Sequence, residues 1–470
     1  MPDALDELRT RLAAQRKAFA LASYPTVDER RKNLLGLRSA CAFVRDKVPA
    51  ALAADFGSHD PSIGLLWELG GVLGRIRFTS DHLEKWMEPV PREVDPLLGD
   101  ARAYVRYQPK GVVGNMAPWN FPIDISLGPL VDILAAGNRA IVKPSECAPH
   151  CAELVSLAVK ECFDPDLVAV VCGDVELAKG FAGMPWDHLM YTGNPAVGRV
   201  VMAAAAANLT PVTLELGGKC PTIVLPDRTN ADTYSEILAV KAVKSGQVCI
   251  NTDYVLCPAT ALESMISEMQ GLFASMFPSF VDGPSSTGII SERHFDRLIG
   301  YLAEATERGA RVIPLGNERP IRANRTIPFT LVIDPPDDLK LMQEEIFGPI
   351  LPIVTYRTVD DAIAYVNERD RPLALYVFTD DANAADDVLA RTTSGGACVN
   401  AIATHASLPS LPFGGIGTSG MGAHHGYEGF QTFSHARAVF RRGAMNAWEM
   451  MRPPWGEPLA AITNMILDQP

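Results

Sequence analysis

Residues 111–146, GVVGNMAPWNFPIDISLGPLVDILAAGNRAIVKPSE, contain the pattern that decides the fold. A short apolar run at 111–118 is followed by a helix-length apolar segment at 123–136 and then by a second short run at 140–145. Two strand-length runs joined by a helix-length segment predict a βαβ unit, in which the two strands are parallel.

The same alternation continues toward the C-terminus. It predicts strands at 167–173, 188–193 and 211–218, with helices at 148–162, 175–181 and 196–207. A second alternating block has predicted strands at 221–226, 253–258, 311–315, 330–334, 351–356, 374–379 and 396–400, and helices at 233–244, 261–276, 359–367 and 382–391. The predicted fold class is α/β, with two domains whose parallel sheets are covered by helices, and Gly217-Gly218 is the expected hinge.

The flanks of the α/β blocks have different patterns. Apolar spacing of about 3.6 residues predicts helices within 29–56 and 65–86, and Pro89, Pro91 and Pro96 then predict a linker. Residues 103–108 and 431–441 are β-like but lie outside the alternation. We expect them to form an arm or an edge hairpin.

Composition excludes several classes of function. The 470-residue chain carries a formal charge of −13, which argues against a nucleic-acid footprint, and no apolar run approaches the length that a membrane span needs. Nine cysteines, an odd number, follow a polar helical N-terminus without a secretory leader, so free thiols in the cytoplasm are expected. Cys147 and Cys151 have the spacing of a metal pair but lack a second pair, and no metal site is expected.

Three predicted strands end in polar residues, where α/β proteins bind ligands. These segments are KPSE (143–146), TGNPAVG (192–198) and ELGGK (215–219). The second is a strand-to-helix turn that would present free N–H groups to a phosphate. Taken singly, TGNPAVG is explained about as well as a plain turn with a helix-packing glycine, and KPSE is explained better as a solvated loop pair.

Two loops contain candidate catalytic residues. Cys249 lies in SGQVCIN (245–251), and Asn120 lies in PWNFP (118–122). A cysteine in a loop is a nucleophile if its pKa is lowered or a base is adjacent, and otherwise a small apolar residue. An asparagine amide stabilises an oxyanion if it is aimed at a tetrahedral centre.

The motifs together are far more specific than any one of them. PWNFP, KPSE, TGNPAVG, TLELGGK (213–219), GQVCI (246–250), EEIFGP (344–349) and PFGGIGTSG (412–420) occur in this order. The chain resembles the aldehyde dehydrogenase superfamily over about residues 20–440. TPVTLELGGK (210–219), RPLALYVFTDD (371–381) and SGMGAHHGYEGFQTFSH (419–435) resemble its class 3 and coniferyl aldehyde dehydrogenase branch.

The resemblance implies a role for each matching residue. Cys249 would be the nucleophile, Glu215 the general base, and Asn120 with the Cys249 backbone N–H the oxyanion hole. The implied cofactor-binding set is Trp119, Lys143, Glu146, Gly193, Asn194, Gly198, Glu345 and Phe347. Phe413 would line the substrate tunnel. Asn194 stands where serine is common in the family, and its amide also donates to phosphate.

The resemblance also implies an organisation and a partner. We expect a Rossmann-type NAD-binding domain at 1–95 and 109–217, a catalytic domain at 218–424, an oligomerisation arm at 96–108 and 425–445, and a C-terminal tail at 446–470. The arm implies a homodimer. The small-molecule substrate would be an aromatic aldehyde such as coniferaldehyde or a medium-chain aliphatic aldehyde.

The cofactor and two rival activities remain open at this point. Glu146 beside the adenosine ribose favours NAD, because a carboxylate repels a 2′-phosphate, with NADP possible. A CoA-acylating or phosphate-using reductase is disfavoured by Glu215, since such enzymes generally lack this base. A non-catalytic scaffold is disfavoured because all three catalytic residues are present.

Overall fold

The computed structural model describes residues 4–283, 285–446, 449, 452–453 and 455–468. The strands are β1 (Val90–Arg92), β2 (Arg102–Pro109), β3 (Val112–Met116), β4 (Arg139–Lys143), β5 (Val168–Val170), β6 (His188–Gly193), β7 (Val212–Leu216), β8 (Pro221–Val224), β9 (Tyr254–Pro258), β10 (Arg311–Pro314), β11 (Thr330–Ile333), β12 (Ile350–Tyr356), β13 (Ala374–Phe378), β14 (Gly396–Val399), β15 (Gly420–Met421) and β16 (Ser434–Arg441).

The helices cover the faces of the sheets. They are α1 (Ala4–Leu21), α2 (Val27–Val44), α3 (Val48–Phe56), α4 (Pro61–Leu65), α5 (Gly71–Met87), α6 (Asp124–Ala135), α7 (Pro149–Cys162), α8 (Val175–Ala182), α9 (Pro195–Ala206), α10 (Ala231–Ala242), α11 (Leu262–Met276), α12 (Glu292–Glu307), α13 (Lys340–Gln343), α14 (Val359–Asn367), α15 (Ala382–Arg391), α16 (Thr404–Ser407), α17 (Gly426–Thr432) and α18 (Glu457–Leu467). A π-helical turn, Leu66–Gly70, connects α4 to α5.

The predicted βαβ unit is confirmed. Strands β3 and β4 are parallel, from Val112 opposite Arg139 to Met116 opposite Lys143, and α6 connects them. They form the centre of a six-stranded sheet with the order β15-β7-β6-β3-β4-β5. Because the first strand, β3, lies in the middle and the chain winds outward in both directions, the order is Rossmann-type and its switch point lies between β3 and β6.

The second block forms a seven-stranded sheet with the order β10-β11-β12-β9-β8-β13-β14. Each predicted strand of both blocks has an observed counterpart, so the α/β fold class is confirmed. The expectation of purely parallel sheets is wrong at two edges. Strand β10 is antiparallel to β11, and β15 is antiparallel to β7. An edge strand can reverse direction without disturbing the parallel core.

A third sheet, β1-β2-β16, contains the two β-like segments that lie outside the alternation. The predicted linker is wrong at Val90–Arg92, because these residues form β1 opposite Ala103–Val105. Pro91 is tolerated there because β1 is an edge strand. The strand predicted at 431–441 begins only at Ser434, since Gly426–Thr432 forms α17, which packs against α5 and α6.

Two observed elements do not coincide with the expected bounds. Gly420–Met421, expected in the second domain, pairs with β7 of the six-stranded sheet. The helix predicted at 233–244 ends at Ala242. Part of the expected tail lies outside the described residues, and its described part includes α18. Among the described residues, no helix has the length and apolarity that a membrane crossing needs, and no group of three or more His, Cys, Asp or Glu could hold a metal ion.

Candidate active site

A cavity of about 1580 Å³ lies where the six- and seven-stranded sheets approach each other. Its walls include residues that follow the carboxyl ends of β3, β6 and β7, together with the loop that contains Cys249. The structure brings most of the motif residues to this cavity, namely Trp119, Asn120, Gly193, Asn194, Glu215, Cys249, Glu345, Phe347 and Phe413.

The Cys249 loop is tied directly to the Asn120 loop. The Asn120 side-chain amide donates to the Gln247 carbonyl at 3.2 Å. The Gln247 side chain in turn holds the opposite side of the loop, since it donates to the Gly288 carbonyl and accepts from the Ile290 N–H, both at 3.0 Å. Cys249 is partly buried beside these anchors. The thiol and the amide therefore stand on a rigid frame.

The backbone leading to Cys249 has a conformation that local sequence does not favour. Lys244, Ser245 and Gly246 have φ values of +48°, +51° and +79°, so two residues with side chains occupy the left-handed region. Such backbone costs about 1–3 kcal/mol per residue and persists only when surrounding contacts enforce it. Ser245 supplies one such contact, because its hydroxyl donates to the Thr287 carbonyl at 2.5 Å.

Lys244 supplies the strongest constraint on this turn. Its side chain is fully buried and its ammonium group donates to the equally buried Glu68 carboxylate and, at 2.6 Å, to the Asn120 carbonyl. The second Glu68 oxygen accepts the N–H groups of Ile123 and Asp124, both at 2.9 Å. The ion pair thus connects the turn at 244–246, the Asn120 loop and the first turn of α6.

Glu215 is a buried carboxyl without a hydrogen-bond partner. It lies on β7 with 2% of its surface exposed, and neither side-chain oxygen has a partner among the described residues. Burial raises the pKa of Glu215 well above its usual range. A carboxyl of this kind is poised to accept a proton from a water or ligand that enters the cavity.

Burial also dominates the state of the thiol. Desolvation, followed by the nearby Glu345 and Glu215 carboxylates, raises the pKa of Cys249 to about 12. The thiol is therefore protonated at neutral pH in the protein alone. The reactive thiolate requires either a proton acceptor or a positive charge brought into the cavity.

Glu345 and Phe347 form a second strained element in the cavity wall. A Cβ atom on Gly217 would lie 2.0 Å from Glu345 Oε2, so glycine is needed for the carboxylate to lie there. Burial raises the pKa of Glu345 to about 8. Phe347 has φ +52° and its ring meets the Trp119 ring edge-on, with centroids 5.3 Å apart. Arg297 holds this turn through the Glu345 and Ile346 carbonyls.

The N-terminus of α9 faces the cavity at the end of β6. The Asn194 side chain caps the helix by accepting the Ala196 N–H at 2.7 Å. Gly198 packs α9 against β7, since a Cβ there would lie 2.7 Å from Leu216 Cδ2. The buried Thr192 hydroxyl, also in the cavity wall, has no hydrogen-bond partner within the described part of the chain. Free helix N–H groups and an unpaired hydroxyl are what a phosphate ligand requires.

Lys143 is the last residue of β4, and Glu146 lies just beyond the strand. The Lys143 ammonium is almost completely buried and donates to the exposed Glu146 carboxylate at 2.8 Å. Glu146 also lines a neighbouring cavity of about 430 Å³, whose wall includes Pro149, Leu157 and Cys172. This cavity has the mainly apolar character that suits a purine ring.

Sequence reasoning missed several residues of the site. The Glu68–Lys244 pair, Arg297 and a group formed by Arg75, Asp124 and His425 were not anticipated, and only the two adjacent histidines at 424–425 stood within a quoted motif. The members of each set are distant in sequence, 176 residues for Glu68 and Lys244. No local pattern predicts such pairs.

The site has the parts needed for covalent acyl chemistry. A thiol, an amide from the adjoining loop and a buried carboxyl without a partner among the described residues share a cavity that continues toward the N-terminus of α9. A nucleophile, an oxyanion donor and a base are the groups that form and hydrolyse a thioester. The helix terminus and the apolar second cavity fit a dinucleotide cofactor.

Comparison with known proteins agrees with this arrangement. The family model described as the aldehyde dehydrogenase family matches residues 5–439. A probable coniferyl aldehyde dehydrogenase of Caulobacter vibrioides is 45% identical over 419 residues, which are 87% of this chain and 86% of the relative. A coniferyl aldehyde dehydrogenase of a Pseudomonas species is 43% identical over 427 residues, 90% of this chain and 88% of the relative.

Solved structures support the same assignment. The substrate-bound state of Staphylococcus aureus AldH superposes with a TM-score of 0.91 at 30% identity, covering 98% of this chain and 99% of that one. A Mycobacterium tuberculosis aldehyde dehydrogenase complexed with NAD⁺ has a TM-score of 0.81 at 28% identity, covering 91% and 88%. The resemblance inferred from the motifs is confirmed. The chain belongs to the aldehyde dehydrogenase family and is an NAD(P)-dependent oxidoreductase that oxidises aldehydes.

Proposed function

We propose that this enzyme oxidises aromatic aldehydes of the coniferaldehyde type, or medium-chain aliphatic aldehydes, to carboxylic acids. Cys249 is the nucleophile, Glu215 the general base and Asn120 the side-chain donor of the oxyanion hole. The observation that carries this assignment is that all three line one cavity while both oxygens of the buried Glu215 lack a partner.

Cys249 and Asn120 perform the first half of the reaction. The thiolate of Cys249 adds to the aldehyde carbon, and the negative charge that develops on the oxygen needs donors already in place. The Asn120 amide is held near the nucleophile loop by its 3.2 Å contact with the Gln247 carbonyl. Losing one oxyanion donor typically lowers the rate about 10²–10³-fold.

Glu215 performs the second half. Once a thioester links Cys249 to the acyl group, Glu215 takes a proton from water as the water oxygen attacks the acyl carbon. The carboxylic acid leaves and the thiol is restored. The raised pKa of Glu215 fits this role, because a carboxylate with a higher pKa is a stronger base toward the attacking water.

The cofactor would lie along the first sheet. Gly193, Asn194 and the first turn of α9 would receive the phosphates, with Gly198 keeping α9 close to β7. Lys143 and Glu146 would bind the adenosine ribose, and Trp119, Glu345 and Phe347 would hold the nicotinamide end. The chemistry that NAD(P) supplies when bound is acceptance of a hydride from the aldehyde carbon. The exposed Glu146 carboxylate favours NAD over NADP, since it would repel a 2′-phosphate.

The substrate class follows from the other walls of the cavity. Trp67 and Phe121 stack with ring centroids 6.0 Å apart, and Phe413 lines the same cavity. Such walls suit a planar aromatic or an extended aliphatic chain. Relatives described as coniferyl or probable coniferyl aldehyde dehydrogenases favour the aromatic class for this chain too.

The proposed domains follow the expected boundaries. We assign 1–95 and 109–217 to cofactor binding, 218–424 to catalysis and 96–108 with 425–445 to the arm, with hinge Gly217-Gly218. The grouping of β3–β7 and β8–β14 into separate sheets supports the division. The homodimer would form through β16, an edge strand on which Phe440 is 54% exposed. The free cysteines are consistent with a cytoplasmic location.

The test is a turnover assay with a panel of aldehydes. Purified enzyme with NAD⁺ is mixed with coniferaldehyde, cinnamaldehyde and medium-chain aldehydes while the absorbance of NADH is followed. We expect free acid as product, no turnover by Cys249→Ala, and a thioester that accumulates in Glu215→Gln. Asn251→Ala, a change two residues beyond the nucleophile, is the folding control.

Four outcomes would contradict parts of this assignment. Turnover by Cys249→Ala would show that Cys249 is not the nucleophile. If Glu215→Gln shows normal steady-state turnover and no thioester accumulates, Glu215 is not the general base. Acyl-CoA formed on addition of CoA, in place of free acid, would replace hydrolysis with transfer. A monomeric mass in light scattering would contradict the dimer.

A further inference from the structure

Four polar side chains form a continuous part of the cavity wall, separate from the catalytic residues. This polar wall consists of Arg75 on α5, Asp124 at the start of α6, and His424 and His425 before α17. Arg75 Nη2 donates to Asp124 Oδ1 at 2.5 Å, and Arg75 Nη1 contacts His425 Nε2 at 3.0 Å. A charged side chain in a largely buried wall needs a partner or a ligand that offsets its desolvation.

The contacts determine where the protons lie. A guanidinium group has only donors, so His425 Nε2 must be the acceptor and the His425 proton must be on Nδ1. Burial, followed by the neighbouring His424 ring and Arg75, lowers the pKa of His425 well below its usual range. Burial likewise lowers the pKa of His424 to about 3. Both rings are therefore neutral. Burial raises the pKa of Asp124, and the Arg75 guanidinium opposes that rise by stabilising the carboxylate.

The polar wall is built by specific backbone features. A Cβ atom on Gly128 would lie 2.2 Å from Arg75 Nη2, so the guanidinium rests against bare helix backbone. His425 has φ +73°, an unfavourable value for a residue with a side chain. The Asp132 carboxylate holds it there by accepting the His425 N–H at 3.0 Å. These constraints fix the orientation of the Arg75–Asp124 pair.

Asp124 retains capacity for a ligand. Arg75 uses only Oδ1, and 18% of the Asp124 side chain remains exposed in the cavity. The second carboxylate oxygen is thus an available acceptor. The Asp124 carboxylate would repel an anionic ligand group, and the Arg75 guanidinium would repel a cationic one. A neutral hydroxyl group satisfies the free oxygen without burying a further charge.

The surrounding residues define the shape of the group that carries this hydroxyl. The Phe413 ring lies 5.4 Å from the His424 ring and 5.5 Å from the His425 ring. The stacked Trp67 and Phe121 rings line the same cavity. Aromatic side chains in the wall of this cavity favour a flat ring as ligand.

We propose that Asp124, oriented by Arg75 and His425, is a specificity-determining residue that selects aldehydes with a phenolic hydroxyl remote from the aldehyde group. The inference rests on the proposed function, because it names the part of the substrate that the same cavity recognises. The phenol donates to the free Asp124 oxygen. A site built for a hydroxyl discriminates against analogues without one, because its buried polar group is then left unpaired.

The test uses two aldehydes that differ only in hydrogen-bonding capacity. 4-Hydroxycinnamaldehyde donates, whereas 4-methoxycinnamaldehyde only accepts. We expect the enzyme to prefer the hydroxyl compound in kcat/KM by about 10- to 100-fold, the range for a hydrogen bond to a charged group. In Asp124→Asn, Arg75 continues to demand an oxygen at Oδ1, so the amide NH₂ takes the free position and presents a donor. The preference should then fall by at least about 10-fold.

A matched control is Glu236→Gln, because Glu236 is a carboxylate that lines the same cavity outside the polar wall. It should leave the ratio of the two kcat/KM values unchanged. A ratio near one in the unaltered enzyme, or a ratio that Asp124→Asn leaves intact, would overturn the inference. Equal loss of the preference in Glu236→Gln would overturn it too, since the effect would then not be specific to Asp124.

A binding measurement separates this inference from the reaction itself. Calorimetry with Cys249→Ala compares 4-hydroxycinnamyl alcohol with 4-methoxycinnamyl alcohol, which cannot be turned over. Tighter binding of the hydroxyl compound, lost in Cys249→Ala/Asp124→Asn, supports the subsite even if the panel of aldehydes shows no turnover. Equal binding of the two alcohols rejects the subsite while leaving the oxidation chemistry intact.

Discussion

Replacing Lys244 with methionine should damage stability and catalysis together. Lys244 and Glu68 are both fully buried, and the Lys244 ammonium also bonds the Asn120 carbonyl. Removing one partner of a buried ion pair costs about 3–5 kcal/mol. Glu68 would keep the N–H donors of Ile123 and Asp124. We therefore expect the free energy of unfolding to fall by about 3 kcal/mol, the lower end of that range.

The catalytic effect follows from the Asn120 contact. Without the Lys244 ammonium, the Asn120 carbonyl loses its donor and the strained turn at 244–246 loses its main constraint. Displacement of the oxyanion donor should lower kcat by up to about 10²–10³-fold. Addition to the aldehyde would then limit turnover, and KM should change much less than kcat.

The assay combines unfolding in urea with steady-state kinetics. The double variant Glu68→Gln/Lys244→Met removes both charges, so it should be more stable than the sum of the single losses by about 1–3 kcal/mol. Lys241→Met, which alters a nearby buried lysine outside the pair, is the control for kcat. A Lys244→Met enzyme with stability within about 1 kcal/mol of the original and unchanged kcat would refute the reasoning.

Three further predictions follow from the structure. The Cys249 pKa of about 12 predicts that alkylation of Cys249, followed by peptide mapping without cofactor, keeps accelerating above pH 9; a plateau near pH 8 would contradict it. Glu146→Gln should raise the kcat/KM ratio of NADP⁺ to NAD⁺ about 10-fold through lost charge repulsion, and an unchanged ratio would reject Glu146 as the discriminating residue. His188 has a pKa lowered to about 3 by burial and Lys110. As pH falls below about 6.5, His188 therefore gains a proton in the unfolded chain before it does in the folded one, which destabilises the fold. The melting temperature of His188→Gln should thus fall less than that of the original protein between pH 7 and 4.5. Equal falls would argue against this.

The sequence predicted the α/β blocks because their signal is local. In residues 111–146, the lengths of two apolar runs and the helix between them are sufficient to specify β3, α6 and β4. The same local reading failed at Val90–Arg92, where prolines indicated a linker. Val90–Arg92 forms a strand because it pairs with Ala103–Val105, and the residues at 90–92 do not by themselves reveal that partner.

The candidate site divides in the same way. The resemblance to family motifs offered Cys249, Asn120 and Glu215 as catalytic candidates, since each motif is a short contiguous run of the sequence. They did not reveal that Lys244 meets Glu68, or that Arg75 meets Asp124 and His425. These contacts join residues on different helices and loops.

By itself, then, the sequence determined the alternation of strands and helices, the family and the residues offered for chemistry. These depend on side-chain type and spacing along the chain. Only the tertiary structure decided that the Glu215 carboxyl has no partner among the described residues, that the backbone at 244–246 is strained and that Asp124 offers an acceptor to the cavity. The reason is physical: burial, hydrogen-bond pairing and pKa depend on the atoms that surround a group, and most of those atoms come from distant parts of the chain.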